Sequence, residues 1–166
     1  IVDPCILAWH TPEVLVAAGL DVYVPIGKYD SADVANIGRN YWMLQPVVAC
    51  TYRNKQGIEA SAKLMYDFCF ENDDTDYDSG DAFHFDYTLA KHFGNLGVGI
   101  GGFFYQQVTD DSGTITTAVG ADGPVSFDVE SSPFDGLKSK QWAIGPQVSY
   151  QYKNMNFALK WQHEEG

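Results

Sequence analysis

Ile58-Glu59-Ala60-Ser61-Ala62-Lys63-Leu64-Met65-Tyr66-Asp67-Phe68-Cys69-Phe70 decides how the rest of this chain is read. Its even positions, from Ile58 through Leu64, Tyr66 and Phe68 to Phe70, are all apolar, and its odd positions include Glu59, Ser61, Lys63 and Asp67. Successive side chains of a β-strand point to opposite sides, so this period of two describes a strand between two different environments. Either a soluble sandwich or a membrane barrel would give it, and the neighbouring segments have to separate the two.

Working outward, the same alternation recurs. Glu13 to Pro25 sets Val14, Val16, Ala18, Leu20, Val22 and Val24 against Leu15, Ala17, Gly19, Asp21 and Tyr23. Asn40 to Tyr52 sets Trp42, Leu44, Pro46, Val48, Cys50 and Tyr52 against Tyr41, Met43, Gln45, Val47, Ala49 and Thr51. Ala82 to Phe93, Leu96 to Val108 and Ser139 to Tyr152 follow the pattern, as do Phe157, Leu159 and Trp161 against Ala158, Lys160 and Gln162. Ile1 to His10 alternates more weakly, interrupted by Asp3 and Pro4. These segments make about eight strands in a single domain spanning residues 1–166.

Hairpin parity tests the assignment. A two-residue turn at Gly94-Asn95 pairs Phe93 with Leu96, one at Lys153-Asn154 pairs Tyr152 with Met155, and the Arg53 to Gly57 turn can pair Tyr52 with Ile58. In all three, apolar positions meet apolar positions. A two-residue turn at Thr11-Pro12 would instead put Asp3 on the apolar side, so that register stays open. Pro46 and Pro146 each remove a ladder donor and suggest a bulge or bend.

Connections alternate between short turns and long polar loops, the latter at Gly27 to Arg39, at the acidic run from Glu71 to Gly80, and at Thr109 to Leu137. Short turns at one end and long loops at the other are the asymmetry of an outer-membrane barrel. Trp42 and Tyr52 share a face ten residues apart, as do Trp142 and Tyr152. At about 3.3 Å per residue and a tilt near 40°, that separation spans roughly 25 Å, the height of an apolar band between aromatic girdles. The expectation is therefore an all-β, transmembrane, antiparallel up-and-down barrel in the bacterial outer membrane. If both ends of the whole protein are periplasmic, further strands flank this sequence, and ten to twelve in all are expected.

Composition agrees. The 166 residues are 14% aromatic and contain no run of about 18 apolar residues, so no transmembrane helix is expected. A net charge of −12 disfavours nucleic acid as a partner. Cys5, Cys50 and Cys69 form neither a metal pattern nor a disulfide framework.

The segments Val24-Pro25-Ile26-Gly27-Lys28-Tyr29-Asp30, Asn36-Ile37-Gly38-Arg39-Asn40-Tyr41-Trp42, Glu71 through Tyr87, and Gly102-Phe103-Phe104-Tyr105-Gln106-Gln107 resemble the outer-membrane phenol meta-pathway degradation transporter family. Ile26 stands in place of that pattern's Thr, Phe103-Phe104 in place of Tyr, and the family's N-terminal part and closing strand lie outside the sequence. The resemblance implies a barrel that passes small organic compounds, aromatic or otherwise apolar.

On this reading the polar face lines the lumen, and selectivity falls to Lys63, Asp67, His84, Asp86, His92, Phe103, Tyr105, Gln147, Lys160 and Gln162. Lys63, Lys160, Asp67, Asp86 and the glutamines would form a charge-neutralising network. The expected partners are outer-membrane lipid, lipopolysaccharide and a small organic solute. The alternative is a structural or surface-interaction barrel without transport.

Other motifs carry less. Gly97-x-Gly99-x-x-Gly102 matches a dinucleotide fingerprint, which requires a following helix, yet Phe103 to Gln107 continues a strand. No cofactor is expected, and the glycines read better as a strip that leaves lumen space. Asp74, Asp76 and Asp78 resemble the start of a calcium loop, but Gly80 falls one place late and the closing Glu is missing. His84 and His92, eight apart on one strand, are too distant to share an ion, and no Ser or Cys nucleophile is placed beside a histidine by the sequence alone, so no enzyme is expected.

Overall fold

Turn chemistry closes the hairpins of the computed structural model, which describes residues 1–30, 36, 38–117, 125–129 and 137–166. Gly94 and Lys153 adopt φ of 60° and 54°, the left-handed conformation that a tight hairpin needs at its first central residue, and Phe93–Leu96 and Tyr152–Met155 pair as the parity predicts.

The strands are β1 (Val2–His10), β2 (Val14–Tyr23), β3 (Met43–Arg53), β4 (Ile58–Cys69), β5 (Ala82–Phe93), β6 (Leu96–Gln107), β7 (Thr114–Thr117), β8 (Val125–Asp128), β9 (Lys140–Tyr152), β10 (Met155–Lys160) and β11 (His163–Glu165). They form an antiparallel up-and-down sheet in the order β1-β2-β3-β4-β5-β6-β9-β10, with β11 also on β9. The sheet is open, with β1 at one edge and β10 and β11 at the other. No α-helix occurs among the described residues.

Four expectations change. The first turn is centred one residue later than Thr11-Pro12: His10 pairs with Leu15, and the Thr11 side chain accepts from Val14 N at 3.0 Å. A bulge between Val2 and Cys5 then moves Asp3 off the apolar side, which resolves the conflict that a regular hairpin creates. The third-strand turn pairs Tyr52 with Ala60 rather than Ile58, because Gly57 takes a φ of 82° and Asn54 Oδ1 accepts from Ile58 N at 2.9 Å, closing a tighter loop. The faces keep their parity.

Neither proline makes a bulge. The β3–β4 register is the same on both sides of Pro46, from Leu44–Phe68 to Val47–Met65, and β10 and β11 follow one register along β9 across Pro146. Pro146 has no N–H to return the bond its carbonyl accepts from Trp161 N at 3.1 Å, so one continuous final strand reads as two. The fourth change lies in the connection from Thr109 to Leu137, which carries the β7–β8 hairpin instead of being loop throughout. Its short strand-favouring runs, the β-branched Thr114-Ile115-Thr116-Thr117 and Val125-Ser126-Phe127, are hidden in sequence by their Gly-rich surroundings.

Burial is inverted relative to a water-soluble sheet. Val48, Leu64, Phe68, Leu89 and Ile100 on the apolar face are all more than 40% exposed, whereas Gln45, Asp67 and Gln107 are buried. On this apolar face Phe83, Phe85, Tyr87 and Phe104 pack together, Phe85 stacking on Phe104 at 5.5 Å, and Tyr66 packs on Phe68. Tyr87 lies across Gly102, where a β-carbon would meet its hydroxyl, and donates to the Ala143 carbonyl at 3.2 Å. Gly102 is therefore on the apolar face, while Gly97, Gly99 and Gly101 make the bare strip on the polar one.

Candidate functional site

Antiparallel register brings the polar side chains of four neighbouring strands together. Continuing the β3–β4 register sets Gln45 opposite Asp67, and Gln45 Nε2 donates to Asp67 Oδ1 at 2.6 Å. From β5, His84 Nε2 lies 3.1 Å from the same oxygen and 3.3 Å from Gln45 Nε2. That ring nitrogen can donate to Asp67 or accept from Gln45 but not both, so the histidine's tautomer decides how the cluster is wired. Tyr105, opposite His84 on β6, packs on its ring at 5.8 Å.

A second cluster sits toward the turn end. His92 Nε2 and Glu59 Oε2 are 2.7 Å apart, and Ser61 Oγ donates to Thr51 Oγ1 at 3.0 Å or Glu59 Oε1 at 3.2 Å. Beside them Gly97 and Gly99 open a groove of about 190 Å³ that Gln147 and Lys160 also line. A β-carbon at Gly99 would run into the Leu89 carbonyl oxygen, so this space depends on glycine.

The remaining predicted residues are placed separately. Lys63 lines a groove with Asp3, Asp21, Val47 and Ala49. It is opposite Asp86 in register, but among the described residues no ion pair joins them, and the expected neutralising network does not form through Lys63, Lys160 and Asp86. Asp86 is exposed and faces Phe103 on β6. Gln162 is half-buried at the interruption opposite Gly145. Trp42, Tyr52, Trp142 and Tyr152 are all exposed on the apolar face. Trp9 and Phe93 join Tyr52 and Tyr152 at the turn end; the weak alternation of β1 concealed Trp9.

The acidic run is an ordered cap. Asn72 N donates to the Tyr77 carbonyl at 2.9 Å, and Asn40 Nδ2 reaches Asn72 Oδ1 at 3.0 Å and Asp74 Oδ2 at 2.8 Å. Asp111, buried, accepts from Tyr77 OH at 2.5 Å, Gln107 Nε2 at 2.6 Å and Gly80 N at 2.9 Å. Burial, and then this bond to Asp111, push the Tyr77 phenol well above its ordinary range. Burial and the charges of Asp81 and Asp111 push the Asp78 carboxyl up. Among the described residues no three His, Cys, Asp or Glu side chains are grouped to hold a metal, and Asp74, Asp76 and Asp78 do not converge on one point.

Against this cap lies an open pocket of about 430 Å³ lined by Tyr29, the exposed Arg39, Tyr41, Asn72, Thr75 and Tyr77, with Ser79 and Thr114. Arg39 and Tyr41 also line a neighbouring cavity of about 260 Å³ that reaches Tyr23 and Met43, at the strand ends. Sequence reasoning missed this site because its walls come from three separate connections. The only local signal is Asn40, whose φ of 58° turns the chain between Arg39 and Tyr41.

With this geometry in view, the chain matches over residues 1–166 the model of a family described as "Putative MetA-pathway of phenol degradation". The chain belongs to that family. Neither a curated protein nor a solved structure matches it. The family's description associates this member with phenol degradation, which is compatible with an outer-membrane protein. In this member the polar clusters and the glycine groove lie on the polar face of one sheet, and the loop-lined pocket lies past the strand ends.

Proposed function

We propose that this chain forms an outer-membrane β-barrel that passes small organic compounds, aromatic ones among them, along its polar face. The observation that carries the reading is the inverted burial: Leu64, Phe68, Leu89, Ile100 and Val148 remain exposed on a contiguous apolar face while Gln45 and Asp67 are sheltered. Leaving one such large apolar side chain in water forgoes about 1.5–3 kcal/mol, and soluble monomers rarely expose contiguous apolar patches beyond a few hundred Å². Lipid removes that cost. Closure of the sheet, bringing β1 and the β10–β11 edge into pairing directly or through further strands, would satisfy their free backbone groups, which a bilayer requires.

Two further features support passage of solutes. The glycine strip keeps one side of the polar face free of side chains, and Tyr105 and Phe103 supply aromatic surface beside His84 and Asp86. The family's association with phenol degradation agrees with an aromatic solute.

Proteoliposome swelling with phenols against sugars of similar size tests this directly. Faster swelling with phenols is expected. Absence of swelling with either solute, in vesicles where the protein is folded, would sink the channel reading and leave a structural or surface-interaction barrel.

A further inference from the structure

The open pocket against the acidic cap is chemically unlike the rest of the protein. The chain carries 22 acidic residues against 10 Lys and Arg, yet among the described residues none that lines this space is acidic and Arg39 is the single cation. The carboxylates nearby have other hydrogen-bond partners: Asp74 accepts from Asn40, Asp111 from Tyr77, Gln107 and Gly80, and Asp67, whose charge also reaches Arg39, from Gln45. Arg39 makes no ion pair among the described residues, its one side-chain bond being from Nη1 to Tyr41 OH at 3.4 Å. A guanidinium without a carboxylate has donors left for a planar anion.

Three tyrosines, Tyr29, Tyr41 and Tyr77, complete the walls. Tyr77 is fixed by its bond to Asp111, and the left-handed Asn40, tied to Asn72 and Asp74, holds Arg39 and Tyr41 on either side of it. At about 430 Å³ the space suits one small aromatic ring with a charged substituent.

We propose that this pocket binds a small aromatic monocarboxylate, its ring against the tyrosines and its carboxylate on the Arg39 guanidinium. The site selects for negative charge in a protein whose net charge of −12 would otherwise repel it. It also abuts the second cavity through Arg39 and Tyr41, so a bound anion lies where the loop end meets the polar face. Binding here does not require that the protein conduct.

Benzoate and its neutral isostere benzamide, titrated calorimetrically into the folded protein in detergent, separate the terms. Benzoate is expected to bind about tenfold or more tightly than benzamide, and Arg39→Gln to abolish that preference. Arg39→Lys, which keeps the charge and loses the planar fork, should retain part of it. An unaltered circular dichroism spectrum establishes that the variants fold. Equal binding of both probes, or a benzoate preference that survives Arg39→Gln, overturns the site. Benzoate binding without solute passage in vesicles would sink the channel and leave the site standing; phenol-selective swelling without an Arg39-dependent benzoate preference would do the reverse.

Discussion

Gln45 and Asp67 face one another on adjacent strands with 2.6 Å between amide and carboxylate, both buried, beside the position where Pro46 withdraws a backbone donor. The side-chain bond thus joins β3 to β4 where the ladder cannot. Gln45→Leu leaves Asp67 with His84 as its remaining side-chain partner and is expected to cost about 1–3 kcal/mol, the penalty for a sheltered acceptor that loses a donor. Gln45→Glu should cost more, because it sets a second carboxylate against the first. Urea unfolding of the protein in detergent measures both, and equal stability of Gln45→Leu and the parent would remove this bond from the account.

Leu64 gives the sharpest test of environment. It is 43% exposed on the apolar face, so in water an arginine there would be accommodated with little change. In a bilayer, Leu64→Arg is expected to cost about 2–4 kcal/mol if the position is near the midplane. Folding into lipid vesicles, followed by the shift of the folded band on unheated gels, distinguishes the two. Wild-type yields from Leu64→Arg would contradict lipid contact at this face.

Lys63 should govern ion preference if the polar face conducts. It shares a groove with Asp3 and Asp21 and has no carboxylate within ion-pair distance among the described residues. Lys63→Glu is expected to shift the reversal potential in a salt gradient toward cations. An unshifted potential in planar bilayers would place Lys63 away from the conducting path.

Strand positions and faces were legible because period-two alternation is strong in β2 to β6 and β9, and parity carried it through Gly94-Asn95 and Lys153-Asn154. Asp3 was not placed in advance, since a bulge follows from backbone geometry rather than composition. The β7–β8 hairpin was missed because four-residue strands offer too few alternations to count. Of the polar residues singled out, Asp67 and His84 do meet, but Gln45 and Glu59, which complete the two clusters, needed the register to be exposed as partners. The Arg39 pocket depends on loop contacts such as Asn40 with Asn72 and Asp74, which no local pattern encodes.

Tyr77 ties the acidic cap to alkaline pH. Its phenol is raised above an ordinary 10.0, first by burial and then by donating to Asp111. In the unfolded loop the phenol ionises near 10, whereas the folded cap holds it neutral. The stabilisation is therefore fully present below pH 10 and falls away as the pH rises toward the folded value. Absorbance of tyrosinate at alkaline pH should show a late-titrating phenol that Tyr77→Phe removes, and protease cleavage of the Glu71 to Asp81 segment should rise above about pH 10. In Tyr77→Phe, Asp111 keeps Gln107 and Gly80 as donors, so the cap should be cleaved more readily at neutral pH too, with a weaker alkaline dependence. A cap whose cleavage is unchanged across that range in the parent protein would show that the bond to Asp111 does not hold it.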